Sequence, residues 1–438
     1  MDAPDASVPH VVIIGGGFGG IAAANALKRA PVRLTLIDRR NHHLFQPLLY
    51  QVATAALNPA DIASPIRRIL RRQRNARVIL GEAVSIDPRR KIVQLADGEV
   101  GYDYLVVATG ATHSYFGHDE WQEAAPGLKT LEDAVEIRRR VLVAYEAAER
   151  EVDEAEVCSW MTFVIIGGGP TGVEMAGALA EISRRVLERD FRLIDPGKAR
   201  IVLIEAGPRL LPAMSSESSA SATRQLQRLG VEVINGSPVT AVDDRGVTHG
   251  GQRLDSRTVI WAAGVAASEL GKALGAGIKL DRAGRVIVNQ DLSVPGADHV
   301  FVIGDLASIS SDGKRVPGLS PAALQEGRHA AKNIVRLIRG EPTLPFHYLD
   351  KGTLATIGRA HAVADIWRLH FGGLIAWLMW LFVHIFFLIG FRNRFIVIVE
   401  WAWTYFSNDR GARLITGNVE PLLERGEKEM KPERMLMS

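Results

Sequence analysis

The chain has 438 residues, with 52 Lys and Arg against 49 Asp and Glu, a net charge of +3. A balance so near neutral gives no broad field for a polyanion, so no nucleic acid is expected as a partner. The one cysteine, Cys158, excludes a disulfide framework, an iron–sulfur cluster held by several thiolates and a redox-active dithiol, and no metal site is expected.

The opening "MDAPDASVPH" is acidic and proline-spaced, unlike a secretory signal, which puts the expected chemistry on the cytosolic side. "HVVIIGGGFGGIAAANALKR" then predicts a buried strand, a tight turn at Gly15, Gly17 and Gly20, and a helix. "VRLTLIDRR" predicts a second strand ending at Asp38. "IRRILRRQRNAR" (66–77) predicts a basic helix with a solvated face, and contact with anionic lipid is its second reading. "YDYLVVATGA" (102–111) predicts a strand closing on Thr109 and Gly110. Cys158 is expected to be a small packed residue.

From there the pattern starts again. "FVIIGGGPTGVEMAGALAEISRR" gives a strand, a turn at Gly167, Gly169 and Gly172, and a helix, and "ARIVLIEAG" gives a strand ending at Glu205. The interval from Gly172 to Glu205 exceeds the usual twenty or so residues, and "LERDFRLIDPGK" predicts an extended helix and loop there. Further strands are predicted in "RTVIWAAGV" (257–265) and in "HVFVIGDLA" (299–307), which ends in Gly304 and Asp305. A helix follows in "PAALQEGRHAAKNIVRLI".

What repeats is therefore a whole strand–turn–helix–strand unit, and the expected fold class is α/β, doubly wound. The simplest layout inserts the second nucleotide domain into the first. That gives a first part over 1–115, an inserted domain over 116–289, a return over 290–345 and a C-terminal module over 346–438.

Each glycine turn follows a β-rich run and opens a helix, so backbone N–H groups can approach a pyrophosphate at a helix N-terminus. Asp38 and Glu205 end the next strands, where a carboxylate accepts from an adenosine ribose. A carboxylate at Glu205 favours the 2′-hydroxyl of NADH and repels the 2′-phosphate of NADPH, although Arg209 lies close behind. Gly304 and Asp305, at another strand end, suit the ribityl chain of FAD. A flavin and a nicotinamide on one chain imply hydride passing between them.

The stretches "VVIIGGGFGG", "LIDRRNHHLFQPLLYQVAT", "VVATG", "VIIGGGPTGVEMAGALAE", "FVIGDLA", "LQEGRHAAKN" and "FRNRFIVIVEWAWTYF" together resemble a type II NADH dehydrogenase over nearly the whole chain. The resemblance implies tandem Rossmann-type domains, as in two-dinucleotide flavoprotein reductases, plus a C-terminal membrane-binding module. It implies non-covalent FAD, oxidation of NADH, reduction of a membrane quinone and no proton pumping. It gives FAD to Gly15, Gly17, Gly20, Asp38, Arg39, Val84, Thr109, Gly110 and Asp305, and NADH to Gly167, Gly169, Gly172, Glu205 and Gly264. It places Glu174 near the flavin–nicotinamide contact in a proton-handling role, and Gln325 at the quinone-binding face. Read from the residues, Glu174 sits in the first helical turn, where the dipole favours a carboxylate; stabilising the helix end is its plainer role. Gln325 has a plainer role too, satisfying local backbone. His42 and His43 are further candidates for protons, at most one of them functional because adjacent side chains point apart.

The run "FGGLIAWLMWLFVHIFFLIG" (371–390) carries no charge and is long enough to cross a bilayer core. Crossing would send Arg392, Arg394, Arg410 and Arg413 outward, against the positive-inside rule. A helix buried inside the C-terminal module would also be uncharged, but Trp377 and Trp380 beside Phe386 and Phe387 make an unusually bulky surface. The favoured reading is a shallow anchor on the cytoplasmic membrane face. It uses residues 371–406, with Trp377 and Trp380 at headgroup depth, and a homodimer is left open. Its difficulty is the lack of a polar face. The function expected from these residues and the resemblance is NADH:quinone oxidoreduction at a membrane surface. The rivals are an NADH-sensing flavoprotein that gates protein partners and a reductase of the same fold serving a soluble carrier.

Overall fold

The β-branched runs of the sequence become sheet interiors because they bury both faces. Residues 8–188, 190–275, 277–389, 391–407, 410–420 and 422 are described by a computed structural model. The chain divides into two compact units. One is drawn from residues up to 44, 63–112 and 265–351, the other from 45–62, 113–264 and from 352 onward.

In the first unit a six-stranded sheet runs in the order Ser293–Val294, Ala297–Val302, Tyr104–Val107, His10–Ile14, Arg33–Asp38, Ala76–Leu80. All neighbours are parallel except the short edge strand Ser293–Val294. The helices Phe18–Ala26 and Ser320–Ile338 pack against each other. Their approach is backbone-close: a Cβ on Gly327 would lie 2.2 Å from the Gly19 carbonyl oxygen. A three-stranded antiparallel sheet, Ala83–Asp87, Ile92–Leu95 and Gly98–Gly101, also belongs to this unit.

In the second unit a parallel four-stranded sheet runs Val231–Asn235, Arg200–Glu205, Thr162–Ile166, Thr258–Trp261. The helix Leu131–Arg150 opens with a reciprocal capping box between Thr130 and Asp133. The helix Pro170–Glu181 continues into a π-helical turn, Ile182–Val186. That turn and the loop behind it account for the long interval before Glu205; Arg189 lies outside the described residues. The C-terminal segment forms an antiparallel sheet, Thr353–Gly358, His361–Ile366 and Leu369–Gly372, then the helices Gly373–Phe387 and Phe391–Ser407. Helix Pro170–Glu181 lies directly on strand Thr353–Gly358, where a Cβ on Gly177 would sit 1.5 Å from the Ile357 carbonyl oxygen.

Several sequence expectations are corrected. The basic run 66–77 is helical only over Ile66–Leu70, and its end enters strand Ala76–Leu80 because Ala76 and Arg77 pair with the buried Leu34 and Thr35. Cys158 is exposed on helix Glu154–Trp160 rather than packed. The crossing alternative for 371–390 fails. Its first residues belong to strand Leu369–Gly372, and the helix that follows has 15 residues. At 1.5 Å per residue that is about 22 Å against a hydrocarbon core of about 30 Å. Among the described residues no helix is long and apolar enough to cross a membrane. Gly390, within the 371–406 segment assigned to lipid, lies outside the described residues.

The missing polar face of that segment also has an explanation. One side of helix Gly373–Phe387 is buried: Ala376 packs with Ala362 and Ala364 of the sheet, and Trp380 is 2% exposed, so it does not lie at a surface. The opposite side presents Leu374, Ile375, Leu378, Phe382 and Phe386 outward. In the next helix Phe395, Ile398, Val399 and Trp403 are exposed at the same helical spacing. Three of the arginines named with this segment are engaged within the protein, and the side chain of Arg392 lies outside the described residues. Arg394 donates to the Phe386 and Leu388 carbonyls at 2.7 Å each, Arg410 is buried, and Arg413 pairs with Asp190.

Candidate functional site

Parallel strands that start in register also end together, so one sheet edge collects the turns that follow them. In the first unit Ile14 pairs with Ile37 and with Val107, and Val107 with Val302. That edge therefore carries the Gly15 turn, Asp38, Thr109 with Gly110, and Gly304 with Asp305.

The glycines there are not interchangeable with alanine. Gly15 has φ +103°, and a Cβ on Gly20 would lie 1.8 Å from the Gly15 carbonyl oxygen. At Gly17, by contrast, a Cβ would meet nothing within 4 Å. The turn is closed toward the protein and open at the N-terminus of helix Phe18–Ala26, where Gly17 is the N-cap without a side-chain cap. Asp38 accepts from Gly16 N at 2.5 Å and from Arg40 N at 2.7 Å.

Two buried polar atoms at this edge have no partner among the described residues: Thr109 Oγ1 and His43 Nε2. His43 Nδ1–H donates to the Gly16 carbonyl at 2.9 Å, and burial holds the ring's pKa below its ordinary value, so it is neutral. Its Nε2 is then a bare acceptor. An open cradle at a helix start, a carboxylate at the neighbouring strand end and buried groups awaiting partners fit a dinucleotide such as FAD. Arg39 and Val84, also assigned to the flavin, are surface residues, Arg39 lying 4.0 Å from Glu82.

The second unit repeats the design. Gly167 has φ +112°, a Cβ on Gly172 would lie 1.8 Å from the Gly167 oxygen, and Gly169 faces open space. Glu205 accepts from Gly168 N at 2.5 Å and Gly207 N at 2.6 Å. Asp38 and Glu205 thus do the same job in their own units, each holding the middle glycine of its turn. Arg209 donates to the carbonyls of Pro212, Met214 and Ser215, which ties it to its own loop. At Gly264 a Cβ would meet the Phe116 ring at 2.5 Å, so the absent side chain makes room for an aromatic.

Glu174 lies in the second turn of its helix, not the first, because the helix begins at Pro170. The helix dipole is correspondingly weaker there. Burial pushes its carboxyl up to about 8, opposed by the Thr356 backbone N–H, which favours the charged form. Part of the residue's surface remains accessible. Nearby, Tyr50 is buried and its phenol is pushed well up by burial, with the charges of Glu174 and Glu181 adding to the shift. Gln51 donates to the Tyr50 hydroxyl at 2.8 Å and accepts from Trp401 Nε1 at 2.7 Å. Arg410 donates to the Thr54 carbonyl at 2.9 Å and to Glu181 at 3.3 Å.

Gln325 turns its amide to the chain after its helix: Nε2 donates to the Leu349 carbonyl at 3.0 Å and Oε1 accepts Leu349 N at 2.9 Å. Sequence reasoning missed its neighbour Glu326, whose carboxyl accepts from Gly304 N at 2.5 Å. The signal was present, because Glu326 falls on the buried stripe with Ala322, Ala323, Ala330 and Ala331. Tyr50 and Gln51 lie in "LLYQVAT", which carried the resemblance but had no assigned role.

The model of the pyridine nucleotide-disulphide oxidoreductase family matches residues 9–327, and that of the NDH2 C-terminal domain matches 351–408. The type II NADH:quinone oxidoreductase NdhA of Mycobacterium tuberculosis is 47% identical over 426 residues, covering 94% of this chain and 90% of the relative. The chain belongs to the type II NADH:quinone oxidoreductase family. A type II NADH:quinone oxidoreductase of Staphylococcus haemolyticus is 30% identical over 371 residues, covering 82% of this chain and 89% of the relative. NDH2 from Plasmodium falciparum, solved in complex with NADH, superposes with a TM-score of 0.86 at 20% identity, covering 93% of this chain and all of that one. The sulfide:quinone oxidoreductase of Aquifex aeolicus superposes at 0.72 with 23% identity, covering 91% and 96%. At those identities the last two speak for the fold that type II NADH:quinone oxidoreductases share with other flavoprotein reductases.

Proposed function

We propose that this chain oxidises NADH and reduces a membrane quinone without pumping protons, while lying on the cytoplasmic face of the membrane. The observation that carries the reading is the pair of matched turns, Gly16 held by Asp38 and Gly168 held by Glu205, in a chain of this family. FAD would be held by Gly15, Gly17, Gly20, Asp38, Arg39, Val84, Thr109, Gly110, Gly304 and Asp305. NADH would be held by Gly167, Gly169, Gly172, Glu205 and Gly264. When bound, FAD supplies the hydride acceptor for NADH and the electron donor for the quinone.

The chain's own residues supply binding, orientation and protons. Quinone reduction consumes two protons, and a carboxyl raised to about 8 is mostly protonated at neutral pH, so Glu174 serves as a proton donor. Gln325 borders the quinone and fixes the backbone at Leu349 beside it. The outward stripe from Leu374 to Trp403 seats the chain on lipid as a peripheral protein. A single cysteine leaves no pair for disulfide or sulfide chemistry.

The test is NADH oxidation by the lipid-reconstituted protein with a quinone analogue, with NADPH as control. Rapid quinol formation with NADH and little with NADPH is expected. Reduction of ferricyanide-like acceptors alone would overturn the quinone reading, and purified protein without a yellow cofactor that bleaches on adding NADH would overturn the reading as a whole.

A further inference from the structure

The buried stripe of helix Ser320–Ile338 is made of small residues, and amid them Glu326 is 3% exposed. A carboxyl is costly to bury unless something holds it. What holds it is the Gly304 N–H, donating to Oε2 at 2.5 Å; no described residue bonds Oε1. Next door on the helix, Gly327 lies directly against the Gly19 backbone, where a side chain would not fit. Gly304 itself has φ +73° and opens the turn Gly304–Leu306, so its N–H direction is fixed by a conformation that favours glycine. One carboxyl therefore ties three parts of the first unit together: the turn bearing Asp305, the long helix, and through Gly327 the fingerprint helix.

We propose that Glu326 is a positioning residue for the flavin, fixing the Gly304–Asp305 turn through the Gly304 N–H and, by its charge, setting how readily the bound flavin is reduced. This rests on the assignment of Gly304 and Asp305 to FAD. The physical basis is Coulombic: a negative charge in a poorly screened interior disfavours the addition of electrons nearby. The titratable groups facing Glu326 are few. Asp305 comes from the turn and Tyr348 from the segment after the helix. Helix Phe18–Ala26 presents none, and Arg328, His329 and Lys332 follow on Glu326's own helix. Burial, with Asp305 adding to it, pushes the Glu326 carboxyl up to about 7 against the Gly304 bond. The charge is thus absent in mild acid and present in mild base.

The experiment is an anaerobic redox titration of the flavin in the purified holoenzyme across this pH range, for wild type, Glu326→Gln and Glu326→Asp. Gln keeps an acceptor for the Gly304 N–H but carries no charge. Its flavin is expected to match wild type at about pH 5.5 and to be about tenfold easier to reduce at about pH 8.5, ~30 mV for a two-electron couple. Asp keeps the charge on a shorter arm that withdraws from Gly304. It is expected to release FAD more readily on dilution while its potential still falls with pH as in wild type. Wild-type and Gln potentials that run parallel across the range would overturn the proposal and leave the FAD assignment standing. Wild-type protein lacking stoichiometric FAD would overturn the assignment itself. Should the Gln variant fail to hold FAD, a wild-type flavin potential that falls with pH through neutrality no more steeply than that of free FAD would overturn the proposal.

Discussion

Replacing Glu174 with Gln should slow the enzyme and stabilise the fold, and the second effect can be worked out. In the folded protein burial pushes the carboxyl up to about 8, against an ordinary glutamate value of 4.5. Between those values the folded state keeps a proton that the unfolded state gives up, so stability falls as pH rises through the window. Each pH unit is worth about 1.4 kcal/mol, so by pH 7 the penalty reaches roughly 3 kcal/mol, less whatever the residue's partial exposure screens away. The Gln amide never ionises and still accepts from the Thr356 N–H. The variant should therefore match wild type near pH 5 and exceed it by about 2–3 kcal/mol near pH 7 to 8. Urea denaturation of the two proteins at a series of pH values, with turnover measured in parallel, reads both effects. Turnover should drop by a factor on the order of 10²–10⁴ if a general acid is lost. A stability difference of constant size at every pH, or a variant less stable than wild type near pH 8, would refute the buried-acid reasoning.

Gly177→Ala places a methyl group where the Ile357 carbonyl already sits, so helix and strand must part. A loss of about 3 kcal/mol or more in denaturation, with activity falling alongside, is expected, and an unperturbed protein would deny the close packing. Arg410→Ala leaves the Glu181 carboxylate and the Thr54 carbonyl without their guanidinium and should cost about 3 kcal/mol, relieved in part by adding Glu181→Gln. Double substitution of Phe382 and Trp403, 69% and 62% exposed, by Glu should cut co-sedimentation with anionic vesicles more than tenfold while leaving NADH-dependent bleaching of the soluble fraction intact. Unchanged sedimentation would place the lipid contact elsewhere.

How far sequence reached depended on how local each determinant is. Glycine turns after β-branched strands and acids at the ends of the next strands are local patterns, and the structure puts them at the predicted sheet edges. Glu174 was placed in the first turn but lies in the second, since Pro170 takes the first helical position and Glu174 the fifth. The apolar C-terminal segment was legible in composition but not in form. An uncharged run looks the same whether lipid covers all of it or only the side turned away from Ala362 and Ala364. The ties of Gln325 to Leu349, Gln51 to Trp401 and Glu326 to Gly304 join residues 22 to 350 positions apart, and no periodicity in one sequence announces such pairs.

Helix Gly373–Phe387 is greasy on both flanks, one spent on its own sheet and the other left bare. A rod of that kind has no way to turn that hides it from water. High salt, which strips proteins docked by charge, should therefore leave this one on the membrane, and a detergent micelle or a second copy must take lipid's place before it will come away.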